Sequence, residues 1–159
     1  MPGEKKSVQA DIIGKYSDDT GGFERDCWVR EEFTILIADR NPHVRKFLER
    51  EITAEGYGVR VADKGRQVIE MAYGHEPVDL LLIDPDFADT DGMKLLKKLQ
   101  DRIPVLPVIV HAFPDDYDKT GADLTGVTFV EKRGNSIEHL KPVIREMLGR
   151  YFPGRSAGL

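Results

Sequence analysis

From Phe33 onward, short apolar runs alternate with stretches in which apolar positions recur at helical spacing. Residues 33–38 (FTILIA) form a continuous apolar run, the pattern of a strand buried on both faces of a parallel sheet. Asn41-Pro42 then offers an N-cap followed by a first-turn proline. Val44, Phe47, Leu48 and Ile52 recur at helical spacing up to Gly56, a natural C-terminal stop. Residues 57–62 predict a second strand, and 66–73 a short helix with Val68, Ile69 and Ala72 inward. Residues 78–83 (VDLLLI) predict the third strand, and 91–101 a helix carrying Met93, Leu95, Leu96 and Leu99. Residues 107–111 (PVIVH) and 127–131 (VTFVE) read as strands four and five. Between them, 115–124 has few apolar positions and predicts only a short, weakly held helix. The last helix spans about 136–150, with Ile137, Leu140, Val143, Ile144, Met147 and Leu148 on one face. Pro142 lies inside it and lacks a backbone donor, which predicts a kink or a late start.

Five strands each followed by a helix make a (βα)5 pattern. It implies an α/β fold, a doubly wound, parallel five-stranded sheet with right-handed crossovers. Residues 33–150 form that domain, and 151–159 are a short tail. Residues 1–32 read differently, with Gly3, Gly14, Gly21 and Gly22, mixed charges and no sustained period. They are expected to form an extension of unassigned function, packed on its own domain through Phe23, Trp28 and Val29.

Composition and charge narrow the function classes. The chain has 159 residues, 40% apolar and 32% charged, as a single globular domain has. No apolar run approaches the ~18 residues that span a bilayer, and no apolar segment follows Lys5 and Lys6 to make a secretory signal. Acidic residues outnumber basic ones 28 to 23, and no basic block is present to neutralise phosphates, so nucleic acid is not an expected partner. Cys27 stands alone, so no intramolecular disulfide can form and a reducing, cytoplasmic setting is expected. His43, His75, His111 and His139 share no metal-ligand spacing with one another or with Cys27, so no zinc site is expected.

In sheets of this kind, ligands bind just beyond the carboxyl ends of the strands. Strand one ends in Asp39-Arg40, strand three in Asp84-Pro85-Asp86, strand four in His111-Ala112 and strand five in Lys132-Arg133. Acids gathered at one edge suit Mg²⁺, a lysine opposite would balance a phosphate, and Asp84 is well placed as a nucleophile toward phosphorus. Each residue alone has a plainer reading: an N-cap, a helix-dipole partner or a solvated strand end. By spacing alone both readings stand, and only the convergence of Asp39, Asp84 and Lys132 favours a site.

These segments resemble a known family over residues 33–148. TILIADRNPHVRKFL is similar to the first strand and helix of the receiver domain of bacterial two-component response regulators. LLLIDPDFADTDG resembles its phosphoacceptor segment, and FVEKRGN its fifth strand. The resemblance implies the flavodoxin-like receiver fold and a phosphorelay role, with Asp84 phosphorylated by a histidine kinase or phosphotransfer protein. Mg²⁺ would be held by Asp39, Asp84 and the backbone carbonyl of Asp86. Lys132 would contact the phosphate, and Phe129 would be the switch aromatic. The signal would pass to the face formed by the fourth helix, fifth strand and last helix. Output is expected through another protein or through self-association, since no effector domain follows the receiver segment.

Several positions depart from that pattern. Arg40 replaces the second acid of the strand-one pair, and Ala112 replaces the strand-four hydroxyl residue. Ala88 and Arg133 stand where the family usually has proline. A guanidinium about 5 Å from a divalent ion is repelled by several kcal/mol at an effective dielectric near 20, which would weaken Mg²⁺ binding. Arg40 could instead swing out to solvent, or sit between Asp39 and Asp84 in place of the ion, and Asp86 could offer a compensating oxygen. The alternative function is a receiver-like interaction module that is not phosphorylated. A third reading is a phosphatase, because IDPD resembles the nucleophile motif of haloacid-dehalogenase enzymes. Against it, 83 residues precede Asp84 and position 88 is alanine.

Overall fold

The computed structural model describes residues 33–116 and 124–155, and five parallel strands organise them into one sheet. In chain order the elements are β1 (Thr34–Ala38), α1 (Pro42–Ala54), β2 (Gly58–Ala62), α2 (Gly65–Ala72), β3 (Leu80–Ile83), α3 (Gly92–Gln100), β4 (Val108–Ala112), a 3₁₀ turn (Pro114–Asp116), β5 (Val127–Glu131) and α4 (Ser136–Tyr151). The strand order is β2-β1-β3-β4-β5, the doubly wound arrangement whose topological switch lies between β1 and β3. The extension over residues 1–32 and most of the helix expected at 115–124 lie outside the described residues. No helix among the described residues is long and apolar enough to cross a membrane.

Alternation along the strands divides the core in two. Ile35, Ile37, Leu80, Leu82, Ile109 and Val130 join Leu48 and Ile52 of α1 and Ile137, Leu140, Ile144 and Leu148 of α4. Leu36, Ala38, Leu81, Ile83, Val108 and Val110 face the other way, onto Val68 and Ala72 of α2 and Leu95, Leu96 and Leu99 of α3. A strand's period of two therefore decides which helices see which side chains, and it continues to matter just past the strand ends.

Local chemistry explains most boundaries. The Asn41 side chain accepts from the His43 and Val44 N–H groups, and Pro42 opens α1 where no donor is needed. The helix stops at Gly56, whose φ of +97° a side chain would resist. Asp91 caps α3 by accepting from Lys94 N–H. Gly92 follows it because a Cβ there would lie 2.6 Å from the Pro85 carbonyl oxygen.

Helix α1 buries only the stripe through Leu48 and Ile52; Phe47 is 39% exposed, and Arg50 lies over its ring. Two expectations need correction. The third strand begins at Leu80 and not at Val78. Asp79 precedes it, with a carboxylate that accepts from Thr34 N–H and pairs with Arg155. The last helix does not start late: it begins at Ser136 and runs through Pro142. Pro142 and Glu138 are both exposed, so the carbonyl that loses its donor is open to water.

Candidate functional site

Register brings the acids together before any side-chain interaction is considered. Ala38 pairs with Ile83 across the β1–β3 ladder, so Asp39 and Asp84 emerge side by side at the topological switch. Ala112 pairs with Glu131, so Lys132 leaves β5 level with the end of β4, its N–H bonded to the Ala112 carbonyl at 2.8 Å. Strand alternation puts Asp39, Asp84, His111 and Lys132 on the α1–α4 face. It turns Ala112 and Phe129 to the α2–α3 face, where Ala112 is fully buried and Phe129 packs partly buried against the core.

The Lys132 ammonium lies between the two carboxylates, 2.8 Å from Asp39 Oδ2 and 2.5 Å from Asp84 Oδ2. All three side chains are largely buried, with Asp39 the most enclosed at 3% exposure. The remaining oxygens are also used: Asp39 Oδ1 accepts from Asn41 N–H, and Asp84 Oδ1 from Asp86 N–H. Burial alone would lower the Lys132 pKa, but its hydrogen bonds to Asp39 and Asp84 outweigh that penalty and raise it. The ring of Phe113 lies 5.6 Å from the same ammonium.

Arg40 takes the outward of the placements considered for it. Its guanidinium pairs with Asp86 at 3.1 Å, with both side chains more than half exposed. The charge between Asp39 and Asp84 comes from Lys132, and the Asp86 carboxylate is engaged by Arg40. Among the described residues, no three carboxylate, histidine or cysteine side chains gather as a metal cluster. The two carboxylates nevertheless match the one or two that Mg²⁺ takes from a protein when phosphate oxygens and water complete its shell. The donor set thus fits a magnesium ion, with no third acid to strengthen it.

Two features had little or no sequence signal. His111 is buried, with Nε2 2.9 Å from Ser136 Oγ, while its Nδ1 finds no partner among the described residues. Desolvation, helped by the nearby Lys132 charge, pushes its pKa down to about 4 against the opposing pull of Asp39 and Asp84. In addition, Asp89, in the loop after β3, accepts from the N–H groups of Gly65 and Arg66 at 2.9 and 3.1 Å. It caps α2 from 24 residues away, and the N-cap residue Lys64 supplies no side-chain bond of its own. Those two backbone bonds hold the Asp89 carboxyl below its usual pKa.

Comparison with known proteins agrees with this geometry. The family model for the response regulator receiver domain matches residues 35–144. Response regulator ArlR of Staphylococcus aureus is 30% identical over 117 residues, 73% of this chain and 52% of the relative. Response regulator MprA of Mycolicibacterium vanbaalenii is 27% identical over 125 residues, 78% of this chain and 54% of the relative. The chain thus spans about half the length of these curated relatives, and 18% of the transcriptional regulator NtrC of Proteus hauseri. Among solved structures, the receiver domain of the hybrid histidine kinase CckA aligns with a TM-score of 0.60 at 29% identity, covering 72% of this chain and 98% of that one. Response regulator TrrA of Thermotoga maritima, solved with Mg²⁺-BeF, aligns with a TM-score of 0.66 at 20% identity, covering 73% of this chain and 99% of that one. The chain belongs to the response regulator receiver-domain family of two-component signalling.

Proposed function

We propose that this receiver domain accepts a phosphoryl group on Asp84 from a histidine kinase or a histidine phosphotransfer protein in the cytoplasm, and signals by protein–protein contact. The observation that carries this reading is the buried contact of one lysine with two adjacent carboxylates at the switch point of the sheet. An Asp84 carboxylate oxygen attacks the phosphorus of a phosphohistidine. The new P–O bond forms as the P–N bond breaks, and the imidazole nitrogen keeps the bonding electron pair. Lys132 then turns from the carboxylate to a phosphoryl oxygen, exchanging one charge partner for another. Asp39, Asp84 and the Asp86 carbonyl would hold Mg²⁺, which would supply positive charge to offset that of the phosphoryl group. Receiver domains are signalling modules rather than catalysts, and turnover of free phosphoesters is not part of this reading.

A second reading, an interaction module without phosphorylation, draws on Arg40 and on Ala112, which is fully buried where the family has a hydroxyl. Titrating Mg²⁺ at fixed acetyl phosphate separates the two. Arg40→Asp exchanges a cation for an anion beside the metal position, and it is expected to lower the Mg²⁺ needed for half-maximal labelling about tenfold. Absence of label on both proteins at every Mg²⁺ concentration would favour the second reading.

A further inference from the structure

The loop between β3 and α3 carries the Asp86 carbonyl, the backbone oxygen assigned to the metal, and it is pinned at both ends. Asp86 N–H donates to Asp84 Oδ1 at 3.0 Å, and the buried Phe87 packs into the core beneath α2 and α3. At the far end Asp91 caps α3, and a Cβ on Gly92 would lie 2.6 Å from the Pro85 carbonyl oxygen. Residues 85–92 therefore fold back on themselves, start against end. Within them Ala88 stands where the family usually has proline, so no ring fixes φ at that position.

Asp89 supplies a fixing point beside it. Its Oδ1 accepts from Gly65 N–H at 2.9 Å and its Oδ2 from Arg66 N–H at 3.1 Å. Thr90 then fills the space over Gly65, where an added Cβ would run into Thr90 Cγ2. Two charge-assisted bonds and one close contact thus fasten the loop to the start of α2. Helix α2 has a simpler cap within reach of sequence. Lys64 holds the N-cap position in extended backbone, φ −134° and ψ 146°, where a serine could cap the helix locally. A cap drawn from 24 residues away does what a local one cannot: it binds the helix to the loop.

We propose that Asp89 is a positioning residue for the metal, and that by tying the β3–α3 loop to α2 it holds the Asp86 carbonyl where Mg²⁺ takes it as a ligand. This rests on the reading in which Asp39, Asp84 and that carbonyl hold Mg²⁺. Asp89 touches neither the ion nor the phosphoryl group and acts only through the loop. Cutting such an outer tie commonly weakens metal binding by about tenfold or more.

The test is an NMR titration of the full chain with Mg²⁺ alone, without phosphodonor, followed at the Asp86 and Phe87 amides. Asp89 is exposed, so Asp89→Ala leaves no cavity and the variant is expected to fold. Its Mg²⁺ dissociation constant should rise about tenfold, and its urea midpoint should fall because α2 has lost its cap. Adding Lys64→Ser separates these two effects. A serine there recaps α2 without holding the loop, so the urea midpoint should return toward the wild-type value while Mg²⁺ binding stays weak. Unchanged Mg²⁺ affinity in Asp89→Ala would overturn the proposal. So would an affinity that recovers with the midpoint in the double variant, since Asp89 would then be a helix cap and nothing more. A wild type whose amides do not respond to Mg²⁺ at all would overturn the metal reading along with it. Equal binding by wild type and variants would overturn the tie alone.

Discussion

Lys132→Met is expected to destabilise the fold by about 3–5 kcal/mol at neutral pH, measured by urea denaturation. The reason is electrostatic. The ammonium lies within hydrogen-bonding distance of both Asp39 and Asp84, and Asp39 has almost no exposure to water. Methionine fills similar volume but leaves two buried carboxylates facing each other without a counter-charge. The effect has a sign that a packing defect would not produce. Adding Asp84→Asn to Lys132→Met removes one of the opposed charges, so the double variant should recover part of the stability lost. A double variant less stable than Lys132→Met would show that Lys132 acts through packing and not through its charge.

The second large effect is acid lability set by His111. Its pKa of about 4 in the folded chain lies below the ordinary 6.5, because burial and Lys132 disfavour the imidazolium. A depressed folded pKa means that the unfolded chain binds the proton first. The stabilisation is complete above pH 6.5 and is lost as the pH falls from there toward 4, by about 3 kcal/mol. As the pH drops through this window the wild type should therefore lose more stability than His111→Leu, whichever of the two is the more stable at neutral pH. Parallel curves would mean that His111 takes up its proton equally in both states, contrary to its burial beside Ser136 and Lys132.

Most of the fold was legible because parallel strands buried on both faces announce themselves as apolar runs. The run LLLI of β3 and the fully buried β4 are examples. The two ends of that logic explain what was not legible. Phe47 fits a helical apolar period as well as Leu48 does, and spacing cannot tell how wide a stripe the sheet will cover. Pro142 left a late start open, because the sequence does not show that its side of the helix faces water. At the site, Asp39, Asp84 and Lys132 could be gathered from strand ends, since register carries neighbouring ladders to the same edge. The direction taken by Arg40 was not legible, because its partner Asp86 is two residues beyond Asp84 in another loop and a long side chain can turn several ways. The Asp89 cap on α2 joins residues 24 apart in sequence. Its only local trace was the poor capping residue Lys64 at the helix start.

The most direct test of Asp84 as phosphoacceptor is the intact mass of the protein after incubation with acetyl phosphate and Mg²⁺, with Asp84→Asn treated alongside. The expected result is one phosphoryl group on the wild type, removed by hydroxylamine as an acyl phosphate should be, and no addition to Asp84→Asn. An unmodified wild type, or an equal mass increase on both proteins, would contradict the assignment of Asp84.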